Sequence, residues 1–198
     1  MGDWRCDVGR TETRGALLAA AMELFGERGF TGTTVDEIVE RAGVAKGTIY
    51  YHFKSKADVA EALIVEHLEP LAARLNEAVA SAHSPGAQME AIVAAELEFV
   101  RDDNAFAKLL LNELWREDRV WRETFDLLWD NAISIVASVI DAGVASGEFA
   151  EETDVRLTAA AVFGMVAVVG LTWHMARPDR AIEDVTLHAQ RLAVNSLR

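Results

Sequence analysis

The sequence predicts an all-α protein, and three observations carry that expectation. Its 198 residues are 51% hydrophobic and rich in Ala, Leu, Val and Glu, with only three prolines, a composition that favours helix. Apolar residues recur every three or four positions and rarely alternate with polar ones. Capping residues and glycines stand where helices of that spacing would begin and end. Nine helices are expected, and the length suffices for one or two domains around an apolar core.

The first helix is expected over about 11–28. Leu17, Leu18, Ala21, Leu24 and Phe25 share a face, and Gly29 stops it. Thr34-Val35-Asp36-Glu37 reads as a capping box that opens the second, whose stripe is Val35, Ile38, Val39 and Ala42. Gly43 supplies a left-handed turn, and a short third helix follows over 46–52. Ser55, with Asp58 three residues on, caps a long fourth helix that Pro70 should kink or split. His83-Ser84-Pro85-Gly86 marks a loop before a fifth helix over 87–101. Asp102-Asp103-Asn104 is a turn and cap cluster, followed by a sixth over 105–115. The seventh runs from Asp118 to Ser146, with Gly147 as its stop. Asp154 caps the eighth, over 155–177, and Pro178-Asp179 breaks the chain and caps the ninth, over 180–197.

Composition excludes several classes. One cysteine, Cys6, rules out an internal disulfide framework and points to a reducing cytoplasm. The first ten residues carry acids at 3 and 7 and no apolar run, so they do not read as a signal peptide. Residues 157–176 lack any charge over the length of a membrane span. A helix buried between subunits has the same composition, and nothing else in the chain is membrane-like, so no membrane partner is expected. None of the five histidines, at 52, 67, 83, 174 and 188, has Glu three residues before it, against a di-iron bundle. No metal site, Gly-rich phosphate loop, nucleophile elbow or cofactor is expected, and the chain does not read as an enzyme.

The net charge of −13 is unevenly spread. Residues 1–60 hold 8 basic and 9 acidic groups, and 61–198 hold 11 and 23. Residues 41–57 contain Arg41, Lys46, Lys54 and Lys56 and no acid, a basic window on an acidic body. Two short helices joined by a glycine turn, the second ending in aromatics, suit a helix-turn-helix. Its second helix must enter a major groove, so its outward residues should be small or polar near its start. Lys46, Gly47 and Thr48 fit: Lys46 can reach guanine or a phosphate, and Gly47 lets the backbone come close. Tyr50, Tyr51, His52 and Lys56 suit phosphates, while Ile49 and Phe53 point inward. The alternative is an ordinary surface helix with a buried aromatic end, in a module that binds protein rather than DNA.

The run Thr34–Phe53 resembles the DNA-binding motif of TetR-family regulators, and the likeness extends from Thr11 to Leu63. The family's nine helices agree with the count above. The resemblance implies a DNA-binding domain over 1–54 and a helical ligand-binding and dimerisation domain over 55–198. It implies a cytoplasmic, nucleoid-associated homodimer, usually a repressor, that a small molecule releases from a palindromic operator. It places Lys46, Gly47, Thr48, Tyr50, Tyr51, His52 and Lys56 at DNA-contacting positions, and Thr34 at a phosphate-contacting cap. One departure is Ala45, where the family often has a capping serine.

In the body, Phe99, Phe106, Leu110, Trp115, Phe125, Trp129, Phe163 and Trp173 either line an apolar cavity for the effector or simply fill the core. His174 is expected as an interface residue, with a hydrogen-bonding group for the ligand as the alternative. A two-fold partner is required to span half-sites one DNA turn apart. Helices 155–177 and 180–197, with Gly164 and Gly170 permitting close approach, are the expected dimer face.

Overall fold

The computed structural model describes residues 4–113 and 126–198. Among these residues there are eight helices, the one over 126–146 carrying a π turn at Trp129–Ile133, together with one 3₁₀ turn and no strand. Helix α1 spans Trp4–Arg28 and α2 Val35–Ala42; the 3₁₀ turn spans Thr48–Tyr51. Helix α3 is Lys56–Ala80, α4 Pro85–Asp102 and α5 Asn104–Glu113. Helix α6 is Asp126–Ser146, α7 Val155–Ala176 and α8 Ile182–Asn195. The all-α expectation holds; among the described residues the expected third helix is a single 3₁₀ turn, which leaves eight helices. Gly47 stands at its N-cap and offers no side-chain acceptor, and Ala45 contributes only its carbonyl, which accepts from Thr48 N at 2.8 Å.

Two compact units are present: residues 4–67 with 108–113, and residues 68–107 with 126–198. The first packs Leu17, Ala21, Leu24 and Phe25 of α1, Ile38 and Val39 of α2, Ile49 and Phe53, and Val59 and Leu63 of α3, all buried. In the second, α4 packs against α6, α7 and α8. Met89, Ile92, Val93, Leu97 and Val100 form its buried stripe.

Several boundaries differ from expectation for local reasons. Pro70 sits inside α3 without ending it; its missing amide leaves the Glu66 carbonyl without a helical donor, and the two units divide one turn away, after His67. Pro85 is not in a loop but in the first turn of α4, where its missing amide loses nothing, and Ser84 caps the helix by accepting from Ala87 N at 3.3 Å. Asp179 does not cap the last helix. Ala181 holds that position without a side-chain bond, and the Asp179 carboxylate lies 3.8 Å from Arg177. The beginning expected for the seventh helix, at Asp118, lies outside the described residues.

Two helices, Asp126–Ser146 and Val155–Ala176, are long and apolar enough to cross a membrane by composition. Only 33% of the apolar window of α7 is buried within the chain. Leu157, Val168 and Met175 of α7 are exposed, as are Leu187 and Leu192 of α8. Gly170 does not serve that outer face: a Cβ there would stand 2.8 Å from Val100 Cγ1 and 3.2 Å from Leu97 Cδ2, so its close approach is to α4 within the chain. Gly164 has open space around it.

Candidate nucleic-acid interface

Helix α2 begins at a complete capping box. Thr34 Oγ1 accepts from Glu37 N at 3.2 Å, and the Glu37 carboxylate accepts from Thr34 N at 2.8 Å. Those bonds, the Thr34 amide first, hold the Glu37 carboxyl below its ordinary range. Gly43 ends the helix at φ +67°, in the left-handed conformation that turns the chain toward residues 48–51. Ser55 and Asp58 form a second reciprocal cap at α3: Asp58 N donates to Ser55 Oγ at 3.1 Å, and Ser55 Oγ donates to Asp58 Oδ1 at 2.6 Å. The 3₁₀ turn is thus held between two capped helices, while Ile49 and Phe53 anchor it in the core at 1% and 5% exposure.

The outward residues are those expected to meet DNA. Lys46 and Gly47 are exposed and Thr48 is half-buried. Tyr50 is 61% exposed and Tyr51 84%, so neither ring is spent on the core. His52 is half-buried with its ring 6.2 Å from that of Phe53. A Cβ at Gly47 would meet nothing within 4 Å, and its φ of −79° is open to any residue. The fold therefore has no need of glycine there.

The basic window is less available than a count of charges suggests. Arg41 turns back onto α1, 2.8 Å from Glu23 and 3.6 Å from Glu27, and these bonds raise its pKa. Lys46 meets Asp36 at 2.6 Å on an open surface, which raises its ammonium too. Lys56 is half-buried and donates to the carbonyls of Phe30 at 2.7 Å and Thr33 at 2.6 Å. It braces the α1–α2 loop, where Thr33 Oγ1 also donates to Gly29 O at 3.0 Å. Of these four cations, Lys54 is exposed, and its backbone N–H donates to Asp58 Oδ2 at 3.0 Å.

In the second unit, Phe99 and Phe106 are buried and meet edge to face at 6.2 Å. Phe163 is buried, while Trp129 and Trp173 are half-buried. Leu110, expected with these residues, is buried in α5 but belongs to the first unit. Trp129 carries Arg156 over its ring at 4.2 Å, and Trp173 Nε1 donates to Arg180 O at 2.9 Å. Trp115 and Phe125 lie outside the described residues. His174 is exposed. Val168, Trp173, Arg177, Arg180 and His188 line an open cleft of about 220 Å³ on α7 and α8. No group of three or more His, Cys, Asp or Glu suited to a metal occurs among the described residues. Sequence reasoning passed over Glu96, which is 1% exposed within the stripe of α4; its signal was a lone acid in register with Met89, Ile92, Val93 and Val100.

Comparison with known proteins accords with this geometry. Residues 17–63 match the model described as bacterial regulatory proteins, tetR family, and residues 64–196 match the C-terminal region of YsiA-like proteins. The chain is 30% identical over 189 residues to the HTH-type transcriptional repressor KstR2 of Rhodococcus jostii, covering 94% of this chain and 90% of that protein. It is 27% identical over 159 residues to the fatty acid metabolism regulator protein of Bacillus subtilis, covering 80% and 82%. In fold it is similar to the transcriptional regulator FadR from Bacillus subtilis, solved in complex with stearoyl-CoA, with a TM-score of 0.78, 24% identity and coverage of 92% and 98%.

Proposed function

Because the chain belongs to the TetR family of bacterial regulatory proteins, we propose that it represses transcription as a homodimer on a palindromic operator and leaves that operator when an apolar or amphipathic effector binds its helical body. It is a DNA-binding transcriptional regulator and not an enzyme. We assign DNA binding to residues 1–54 and effector binding and dimerisation to 55–198, and place its action at the nucleoid in the cytoplasm.

One observation carries the assignment of the reading head. Lys46, Gly47, Tyr50 and Tyr51 stand exposed on a turn fixed between two capped helices, and the fold uses none of them as core. Lys46, Gly47 and Thr48 contact bases, and Tyr50, Tyr51 and His52 contact phosphates. Thr34 presents a cap at the start of α2, where a phosphate is favoured. Lys56 acts at one remove: its ammonium is occupied by two carbonyls, so it sets the α1–α2 loop rather than reaching a phosphate.

The exposed Leu157, Val168, Met175, Leu187 and Leu192 support a dimer through α7 and α8, since side chains of that kind on two adjacent helices suit a self-complementary interface. The aromatic residues of the second unit support an apolar effector. The stearoyl-CoA bound by the Bacillus subtilis regulator makes long-chain acyl thioesters the first class to try.

The test is an anisotropy titration with the DNA upstream of the chain's own gene, at fixed salt. Lys46→Ala and Tyr51→Ala should each weaken binding roughly tenfold. Unchanged binding in both would remove this turn as the reading head. Stearoyl-CoA should release the DNA, and Met175→Glu with Leu157→Glu should yield monomers on sedimentation.

A further inference from the structure

Glu96 is the one carboxyl in the described body that the fold buries and then leaves unused. The residue is 1% exposed, and neither Oε1 nor Oε2 has a hydrogen-bond partner among the described residues. Burial alone pushes the carboxyl well above its ordinary range, which favours the neutral acid, a group with an O–H to donate and an oxygen to accept.

Its place on α4 fixes what it faces. Successive residues turn by about 100°, so Glu96 lies mid-stripe, one turn from Ile92, Val93 and Val100. On one side of it, Leu97 and Val100 close against Gly170 of α7. On the other, Phe99 meets Phe106 of α5 and lies under Arg74 at 5.8 Å. Arg74 is itself turned to Asp102 at 2.9 Å, so it does not serve Glu96. A polar group centred on a core stripe and left unbonded is destabilising, by about as much as a lost buried hydrogen bond. An apolar residue of the same length would fill the position without that burden.

We propose that Glu96 is the hydrogen-bonding anchor of the effector site in the helical body, and that it takes a carbonyl carried on an otherwise apolar ligand. A ligand-binding site of this kind is mostly hydrophobic, with few polar groups to fix orientation. Phe99 stands three residues after Glu96 on α4 and meets Phe106, so the polar point has apolar aromatic neighbours along its helix. A fatty-acyl thioester or a cyclic ketone carries the matching acceptor; a plain hydrocarbon of equal size does not. The inference rests on the reading that the body binds an apolar effector, and it adds the chemistry by which the body selects one.

The test uses the full chain and three probes: acetophenone, ethylbenzene and stearoyl-CoA. The first two differ at the carbonyl alone. Affinities are measured for the natural chain, Glu96→Gln and Glu96→Met, alongside thermal unfolding without ligand. The natural chain should prefer acetophenone to ethylbenzene by about tenfold, the equivalent of one buried hydrogen bond. Glu96→Gln keeps a donor and should retain most of that preference. Glu96→Met is a helix-forming apolar residue of similar length; it should unfold at a higher temperature than the natural chain and bind both probes equally. A natural chain with no preference for the ketone, or a Met variant that keeps it, overturns the proposal. If the Met variant is more stable but keeps the preference, Glu96 is a structural liability and no anchor. Stearoyl-CoA tests the other reading separately. Failure to bind it removes acyl thioesters as effectors while leaving the ketone result to decide the role of Glu96.

Discussion

Gly47→Ala separates the fold from the reading head. The backbone at Gly47 has φ −79° and ψ −14°, which alanine adopts without strain, and an added Cβ has no neighbour within 4 Å. Restricting the unfolded chain stabilises by about 0.4–1 kcal/mol at such a site. Alanine is a somewhat poorer N-cap than glycine, which offsets a few tenths of a kcal/mol. The net change in stability should therefore lie within about 0.5 kcal/mol, or roughly 2 °C in melting temperature for a chain this size. DNA binding should behave differently. If the backbone of Gly47 lies against the groove, the methyl group occupies space the DNA needs, and affinity should fall about tenfold, or about 1.4 kcal/mol. Both quantities can be read from one preparation, by circular dichroism and by anisotropy at one salt concentration. Gly26→Ala is the control: that glycine is exposed in α1 with equally open surroundings. It should gain stability and bind DNA normally. If Gly47→Ala binds DNA as tightly as the natural chain, the close approach at this turn is refuted.

Three further outcomes follow from the geometry. Thr34→Ala removes the acceptor for Glu37 N and should destabilise the chain by about 1 kcal/mol in chemical denaturation; Thr34→Ser should restore it. Gly170→Ala places a methyl 2.8 Å from Val100 Cγ1, and overpacking of about 1–3 kcal/mol should outweigh a helix-propensity gain near 1 kcal/mol. Adding Val100→Ala vacates that space, so the double mutant should show a favourable coupling of about 1 kcal/mol, and strict additivity would mean the helices are not in contact there. Burial makes Glu96 hold its proton to higher pH in the folded chain than in the unfolded chain, where the carboxyl ionises near 4.5, so above that value the unfolded chain holds fewer protons and stability falls as pH rises. Glu96→Gln should remove that fall, and a pH dependence of stability unchanged in the variant would count against a protonated Glu96 in the folded chain. The depressed carboxyls of Glu37, Asp58 and Asp102 act in the opposite sense and only at more acid pH, so they do not mask it.

Elements bounded by local chemistry were legible. The box at Thr34 and Glu37, the pair at Ser55 and Asp58, and the left-handed Gly43 and Gly147 are all encoded within a few residues, and each stands where its pattern placed it. Ile49 and Phe53 were legible as core for the same reason, since four-residue spacing puts them on one side of a helical turn. Pro70 misled because a proline removes one bond, and twenty-five residues of helix supply enough others to carry α3 past it. At 48–51 the sequence predicts a longer helix than the 3₁₀ turn present, because periodicity cannot tell one turn from two and no side chain caps its start.

Charges were the least legible part of the site, because a charge's partner is set by tertiary distance. Arg41 and Lys56 look like members of a DNA-binding cluster in a linear count. In space one lies against Glu23, 18 positions earlier, and the other against the carbonyl of Phe30, 26 positions earlier. Both are consumed in building the platform that presents Lys46 and the tyrosines. Glu96 shows the converse. Four-residue spacing puts an acid on an apolar stripe, which sequence alone would treat as an error in the pattern or as an acid paired from elsewhere. Only the absence of a partner for its two oxygens among the described residues separates those cases. A charge that finds a partner within the chain serves the fold. Glu96 finds none, and for that reason it is the better guide to what the body binds.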